Sequence, residues 1–433
     1  MDKKIVVLLL MAFSFSRNAH AQTVFTSLEA LIQYATKRSI ALQTNDIKIT
    51  QTQKAKLAAI LSIPDPTGSI GLSYTDNTQL PVSLFPDANN PGKFTEIQIG
   101  QKYATQFSQN MSIKLFNLAG WENLKLAKIN IDVANANKQL SLKSLHENIA
   151  ANYYNILNLQ QQIINSEANF RIADSLLQSV QNKYNKGLVK QQDVNDSKVN
   201  VLNSKESIQQ LQYLLQQYYV SLNILCDIPE NEKITIAEEV KDINATQTPQ
   251  PILNQLNIQN SLLKEQYALA NYKQISNSLL PTISFNHNRA YNLYSQSFKL
   301  FDGKWFPSSS IGVSLAIPIP SANAISNRDK AKYDYAIARK TTEQEVIKAS
   351  NVQEQLSIDY FKALSQYKSY QEIVALRKDS FYKNSALYEQ GLINIDQLLN
   401  SYTAMVNAAY NLTSSNINVQ LAAAKININN TIK

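Results

Sequence analysis

Two long stretches of the sequence follow a helical pattern. Residues 121–228 and 321–433 contain no proline and one glycine each, although the chain has 12 prolines and 9 glycines. Proline breaks helices, and glycine weakens them by about 1 kcal/mol relative to alanine. Apolar side chains recur every seven residues in the later part of each stretch, which is typical of a helix that buries a narrow stripe against other helices. Both stretches are therefore predicted to form very long helices.

The two stretches are copies of one another. Gly187, in Tyr-Asn-Lys-Gly-Leu-Val, and Gly391, in Tyr-Glu-Gln-Gly-Leu-Ile, lie 204 positions apart. Glycine just past a helix end permits the left-handed backbone that terminates the helix, so each copy is predicted to be a helical hairpin that turns at its glycine. The same offset relates the members of the apolar stripe, which are Val194, Val201, Ile208, Leu215 and Leu222 in the first copy and Leu398, Met405, Leu412, Val419 and Ile426 in the second.

Short alternating segments precede each long stretch. Residues 69–75 and 106–116, and later 282–286 and 310–317, place apolar side chains on one face and small or polar ones on the other. This period of two predicts strands, either of a soluble sandwich or of an outer-membrane barrel with its apolar face outward. Because such a barrel takes at least about eight strands, four strands per chain would require several chains to share it.

The segments between the paired strands are rich in asparagine, proline, glycine and aromatic residues. Residues 76–105 and 287–309 are therefore predicted to be surface loops. Aromatic side chains favour the boundary between lipid and water, so four of them are expected to form a girdle there: Tyr291, Tyr294, Trp305 and Phe306.

The N-terminus has the pattern of a cleavable secretory signal. A charged start is followed by the apolar residues 5–15 and by the small residues Ala19 and Ala21. The apolar run is shorter than the ~20 residues that a membrane-spanning helix needs. We expect a mature chain that begins at Gln22 and, because no cysteine follows the cleavage site, carries no lipid anchor.

The composition argues against an enzyme. One cysteine and three histidines leave little for a metal or acid–base site, and no phosphate-binding glycine loop is present. The formal charge of +8 is dispersed along the helices without an aromatic-interleaved basic patch, so nucleic-acid binding is not expected. No cofactor is predicted, and any transport must be driven by a partner.

Taken together, these features resemble the TolC family of outer-membrane efflux proteins over the whole mature chain. The resemblance implies a mainly α fold with a small β part, in a homotrimer whose shared 12-stranded outer-membrane β-barrel is continuous with a 12-helix periplasmic α-barrel. Helices near residues 26–62 and 252–279 would complete the α-barrel. The predicted domains are a signal peptide at 1–21, a first repeat at 22–227, an inter-repeat equatorial segment at 228–251 and a second repeat at 252–433.

The resemblance also implies a function. The chain would be the exit duct of a tripartite efflux or type I secretion system, placed in outer-membrane lipid and reaching into the periplasm. A periplasmic adaptor, also called a membrane fusion protein, would couple it to an inner-membrane pump. The alternative is a trimeric periplasmic or surface coiled-coil scaffold without transport, which would share the heptads but would not need apolar-out strands in both halves.

Two sets of site residues follow from the resemblance. The docking residues for the adaptor are expected at the hairpin turns: Gly187, Leu188, Val189, Gly391, Leu392 and Ile393. A periplasmic pore constriction is expected just beyond them, at Asp193, Asp196, Asp396, Gln397 and Asn400. Because the second repeat has Gln397 and Asn400 where the first has carboxylates, its gate would depend on hydrogen bonds.

Simpler interpretations of the same residues stand beside these. The turns also suit a helix end with an apolar cap contact, and carboxylates near a helix N-terminus are favoured by about 0.3–1 kcal/mol without any pore. Lys183, Lys186 and Lys190 cluster at the first turn. They are expected to be solvated, or else to complement the charge of an adaptor.

Overall fold

The computed structural model describes residues 22–87, 91–230, 232–238 and 249–432, so the predicted signal peptide lies outside the described residues. The helices are α1 (Leu28–Arg38), α2 (Ile40–Leu61), α3 (Leu118–Asn185), α4 (Gln191–Leu225), α5 (Gln255–Asn277), α6 (Ala322–Glu389) and α7 (Ile395–Thr431). The strands are β1 (Gln22–Phe25), β2 (Thr67–Asp76), β3 (Val82–Pro86), β4 (Phe94–Gln98), β5 (Tyr103–Phe116), β6 (Lys233–Ile236), β7 (Thr282–Ser295) and β8 (Trp305–Ala316).

The chain folds into two compact units. The first contains the described parts of Met1–Asp46, Ala136–Gln259 and Gln344–Lys433, and the second contains those of Ile47–Asn135 and Asn260–Glu343. Along the sequence, α3 and α6 each have 68 residues, and both their first and last residues lie 204 positions apart. The predicted long helices are therefore confirmed.

In the first unit, the predicted apolar stripe lies in the interior. Val194, Leu222, Leu398, Met405, Val419 and Ile426 are buried, and the other four members are half-buried. Ser197 and Ser415 on the same side of α4 and α7 are also buried, so small polar side chains let the helices approach closely there. Within the described residues, no helix is long and apolar enough to cross a bilayer.

The helix predicted near residues 26–62 is two helices, α1 and α2. The break lies at Ser39, whose amide donates a hydrogen bond to the Ala35 carbonyl at 2.8 Å. The new helix begins with the Ile40 amide donating to the Asp227 carboxylate at 2.8 Å, so a residue distant in sequence restarts it. Within the predicted equatorial segment, β6 pairs in parallel with β1, and residues 239–248 lie outside the described residues.

The second unit contains an antiparallel four-stranded sheet in the order β2-β5-β7-β8. Its apolar face is open to the surroundings in the single chain, since Ile70 and Ile311 are 75% and 73% exposed. A sandwich would bury this face against a second layer. The described residues place no such layer over it.

The prediction of two surface loops is wrong in part. Residues 76–105 include the hairpin of β3 and β4 as well as the start of β5. β7 continues to Ser295 and β8 begins at Trp305, so residues 296–304 alone connect these two strands. Polar residues such as Asn292 stay in the strand because the backbone ladder continues through them, as in the pairing of Asn292 with Phe306. Tyr291, Tyr294, Trp305 and Phe306 are therefore strand residues rather than loop residues.

Candidate functional site

The first turn, defined as residues 186–190, connects α3 to α4. The Gly187 amide donates to the Tyr184 carbonyl at 2.8 Å, and the Leu188 amide donates to the Lys183 carbonyl at 2.9 Å. These two bonds form the Schellman motif that ends helices, which needs a left-handed residue at Gly187. The φ angle of Gly187 is +73°. The predicted helix-ending glycine is thus confirmed here.

The second turn, defined as residues 390–394, repeats this geometry between α6 and α7. The Gly391 amide donates to the Tyr388 carbonyl at 3.0 Å, and the Leu392 amide donates to the Leu387 carbonyl at 2.9 Å. Gly391 has a φ angle of +76°. The two turns therefore place Leu188 and Leu392 in equivalent positions, one residue after the glycine.

Each turn combines an exposed leucine with an anchored β-branched residue. Leu188 is 69% exposed and Leu392 is 67% exposed. The next residues, Val189 and Ile393, are half-buried and pack against one apolar cluster that draws on α3, α4, α6 and α7. Its buried members are Ala173, Leu176, Val180, Val194, Phe381, Tyr388, Ile395, Leu398, Tyr402 and Met405. The apolar cap contact thus comes from Val189 and Ile393, which leaves both leucines available to another molecule.

Two of the predicted constriction residues cap the helices that follow the turns. The Lys190 amide donates to Asp193 Oδ2 at 2.8 Å. In the second turn, the Asn394 amide donates to Gln397 Oε1 at 3.2 Å, and the Gln397 amide donates to Asn394 Oδ1 at 2.9 Å. The position needs an oxygen that accepts from the capping amide, and Asp and Gln both supply one. Either residue meets this requirement, so the two repeats can differ here without losing the cap.

The remaining predicted constriction residues lie in the first two turns of α4 and α7. Asp196 is half-buried and accepts a hydrogen bond from Gln192 Nε2 at 2.9 Å. Asp396 and Asn400 are exposed. The structure thus brings these side chains to the N-terminal ends of both return helices, next to Leu188 and Leu392.

Lys183 contributes a contact that the sequence does not predict. Its ammonium donates to the Tyr388 carbonyl at 2.7 Å, lies 3.8 Å above the centre of the Tyr388 ring, and is 3.8 Å from the Glu389 carboxylate. The Lys183 side chain is only 17% exposed, so the expectation of a solvated lysine is wrong at this position. Packing against the Tyr388 ring and bonding to its carbonyl explain the burial. Lys186 and Lys190 are exposed, as expected.

The contact joins the end of α3 to the end of α6. Ser179 reinforces it by donating from its hydroxyl to Glu389 at 2.9 Å. Burial raises the pKa of Tyr388, and the negative charges of Asp193 and Glu389 raise it further. No sequence signal identifies this site, because the equivalent residue in the second repeat is Leu387, which is exposed.

Part of the chain matches a known protein family. A family model described as outer membrane efflux protein matches residues 64–225. The chain is 21% identical over 351 residues to the outer membrane protein TolC of Escherichia coli K12, which covers 75% of this chain and 70% of that protein.

Two solved structures share the fold at low sequence identity. The outer membrane protein VceC from Vibrio cholerae has a TM-score of 0.74 at 14% identity, covering 93% of this chain and 95% of VceC. The CmeC outer membrane channel from Campylobacter jejuni has a TM-score of 0.70 at 16% identity, covering 93% of this chain and 85% of CmeC. Residues 64–225 therefore match the outer membrane efflux protein family, and the mainly helical fold of the chain, with its small antiparallel sheet, is TolC-like.

Proposed function

We propose that this chain is an outer-membrane efflux channel that acts as the passive homotrimeric exit duct of a tripartite efflux or type I secretion system. The observation that carries the proposal is the open apolar face of the four-stranded sheet, represented by Ile70 and Ile311. Such a face requires lipid, and four strands are too few to enclose a pore. Three chains would supply a 12-stranded barrel, and their helices would supply a 12-helix barrel in the periplasm.

The edges of the sheet support sharing between chains. β2 and β8 are the outermost strands, and each leaves one row of backbone amides and carbonyls without a partner strand in the described residues. In a bilayer these groups must be paired, so β8 of one chain would join β2 of the next around a threefold axis. The proposed domains are the first repeat at 22–227, the equatorial segment at 228–251 and the second repeat at 252–433, after a signal peptide at 1–21.

The assembly is tested by its mass and conductance. We expect outer membranes to release the protein only with detergent, as a particle of three chains that forms steady channels in a planar lipid bilayer. A monomer in detergent-free buffer would contradict the proposal. The scaffold alternative predicts no channels, so the same measurement separates the two functions.

The docking proposal assigns Leu188 and Leu392 to a periplasmic adaptor. Both project from turns whose backbone is fixed by Schellman bonds, and exposed leucines held on a rigid turn are suited to bind a groove in a partner. Val189 and Ile393 would position them from below. The adaptor would connect the duct to an inner-membrane pump, which supplies the energy.

Site-specific photocrosslinking tests the docking proposal. A photoreactive side chain at Leu188 or Leu392 should capture an adaptor in intact cells, and Leu188→Ser combined with Leu392→Ser should reduce efflux at an unchanged level of trimer. Val199 on α4 is 52% exposed and lies away from the turn, so it provides the matched control. Equal capture from Val199 and the turn positions would refute the assignment.

The constriction proposal assigns the pore entrance to Asp193, Asp196, Asp396, Gln397 and Asn400. Its test must separate charge from capping, because Asp193 also holds the Lys190 amide. Asp193→Ala with Asp196→Ala should raise the single-channel conductance. Asp193→Asn with Asp196→Asn keeps an acceptor oxygen, as Gln397 does in the second turn, and should weaken block by divalent cations without loosening the helix. Unchanged conductance and block in both variants would remove these residues from the entrance.

A further inference from the structure

The apolar face of the sheet carries one polar island, defined as Gln109, His287 and Arg289. The register pairs Gln109 with Arg289 on the adjacent strands β5 and β7, and His287 lies two residues from Arg289 on the same face. Side chains point to alternate faces of a strand, so all three lie on the face that carries Phe107, Met111 and Phe285. These polar side chains need a charged or hydrogen-bonding partner, which a hydrocarbon environment does not supply.

Arg289 is the charged member of this island. Its guanidinium carbon lies 5.1 Å from the centre of the Tyr291 ring, which is two residues farther along the same face. The side chain is exposed, and within the described part of the chain it has no ion pair or side-chain hydrogen bond. An arginine facing lipid strongly destabilises a barrel at the middle of a bilayer but has little effect near the bilayer surface. An unpaired guanidinium here therefore indicates a position near the lipid surface with an anion outside the protein.

The loop of residues 296–304 marks the outer limit of the lipid-facing surface. It folds over this face, where Leu293 is 1% exposed and Gly303 lies against it. The Thr105 hydroxyl donates to the Lys299 carbonyl at 3.4 Å, and Phe298 packs edge-on against Tyr74. The first uncovered row below the loop contains Phe107 and Tyr291, and the next contains Arg289. Arg289 thus lies two residues, about 7 Å along the strand, below the first uncovered row, which is within reach of the headgroups for an arginine whose long side chain extends outward.

Below the island the surface is apolar and open. Ile311 and Val313 are exposed on β8, and Met111 is exposed beside His287 on β5. The polar island therefore offers a cation with hydrogen-bonding neighbours, and the apolar residues next to it offer a surface that can bind hydrocarbon chains. A phosphate-bearing lipid has the same arrangement of groups.

We propose that the polar island binds the phosphate group of an outer-leaflet lipid whose acyl chains lie on the apolar residues below it. Arginine binds phosphate through two parallel hydrogen bonds, and Tyr291 holds the guanidinium in place from one side. Gln109 and His287 supply further donors. The proposal rests on the proposed function, since the strands must lie in the outer membrane.

Native mass spectrometry of the detergent-solubilised protein tests this inference, with diphosphorylated lipid A as the probe. Loss of a charge-assisted hydrogen-bonded pair should weaken lipid binding about tenfold or more in Arg289→Gln, with a smaller loss in Arg289→Lys. Lipid A without phosphate should bind the wild type and Arg289→Gln equally, and inorganic phosphate should not compete. Lys299→Gln removes the same charge from the exposed loop and is the matched control.

The outcomes separate the two proposals. A wild-type protein that is not a trimer in the spectrum would refute the shared barrel. A trimer in which Arg289→Gln binds diphosphorylated lipid A as tightly as the wild type, or in which Lys299→Gln loses as much, would refute the lipid site alone. Arg289→Gln should itself remain trimeric, because among the described residues the Arg289 side chain makes no ion pair or side-chain hydrogen bond that would join it to another strand.

Discussion

Replacing Lys183 with methionine tests how the two helical hairpins are joined. Methionine keeps a long flexible side chain over the Tyr388 ring but cannot donate to the Tyr388 carbonyl. That carbonyl also accepts the Gly391 amide, and so it belongs to the bonds that close the second turn. Lys183→Met should therefore loosen residues 390–394, which lie on the opposite hairpin from the mutation.

The loss of stability expected at the second turn follows from the geometry of the Lys183 contact. A hydrogen bond from a charged donor contributes about 1.5–3 kcal/mol, and a cation over a ring contributes about 0.5–2 kcal/mol. The contact to Glu389 at 3.8 Å adds little, because that carboxylate is more than half exposed. The contributions overlap in one ammonium group, so a total near 2 kcal/mol is expected, equivalent to about a thirtyfold change in a local opening equilibrium.

Hydrogen–deuterium exchange measured by mass spectrometry reads this opening directly. Peptides containing Gly391 and Leu392 should exchange about ten to a hundred times faster in Lys183→Met, while peptides containing the stripe of α7 should not change. Lys186→Met is the matched control, because Lys186 is exposed on the same turn and loses the same charge. Equal exchange of the second turn in Lys183→Met, Lys186→Met and the wild type would show that the contact does not hold the hairpins together.

Three further outcomes are expected. Gly187→Ala should destabilise the first turn by about 1–2 kcal/mol, which would be measured as faster exchange at Leu188. The added Cβ would meet no atom within 4 Å, so the whole loss comes from placing alanine in a left-handed backbone. Gly312→Ala is the neutral control, because Gly312 has equal space and no positive φ. Tyr388→Phe should leave exchange of the second turn unchanged, because the buried hydroxyl has no hydrogen-bond partner among the described residues. Burial raises the pKa of the Cys226 thiol to about 12, so iodoacetamide at pH 8 should label it only after unfolding, and rapid labelling of the native protein would contradict this.

The long helices and the strands were predictable because their signals are local and redundant. Residues 121–228 and 321–433 contain no proline, which favours long helices. The apolar stripe of the first half recurs in the second half at an offset of 204 residues. The alternation of residues 106–116 likewise shows which faces of a strand are apolar. Both helix-ending glycines could be located from their sequence motifs alone.

Other features depend on residues far apart in the sequence. The break at Ser39 contains no proline or glycine, and the distant Asp227 carboxylate stabilises it. The local signal is Ser39 itself, whose hydroxyl caps the new helix by accepting from the Leu42 amide at 3.4 Å. The end of β7 and the start of β8 could not be predicted, because polar and aromatic residues are mixed there and obscure the two-residue alternation of a strand. Backbone pairing with the neighbouring strand keeps these residues in the sheet. Lys183 was misassigned because a lysine near a turn is usually solvated, and its burial depends on the ring of Tyr388.

The pairing of β1 with β6 constrains the order of folding. β1 starts at Gln22, and its parallel partner starts at Lys233, so more than two hundred residues must emerge before the first strand can find its neighbour. Contacts so distant in sequence form late, because closing a long loop costs entropy before the contact repays it. The beginning of the chain must therefore stay unpaired while the first hairpin forms.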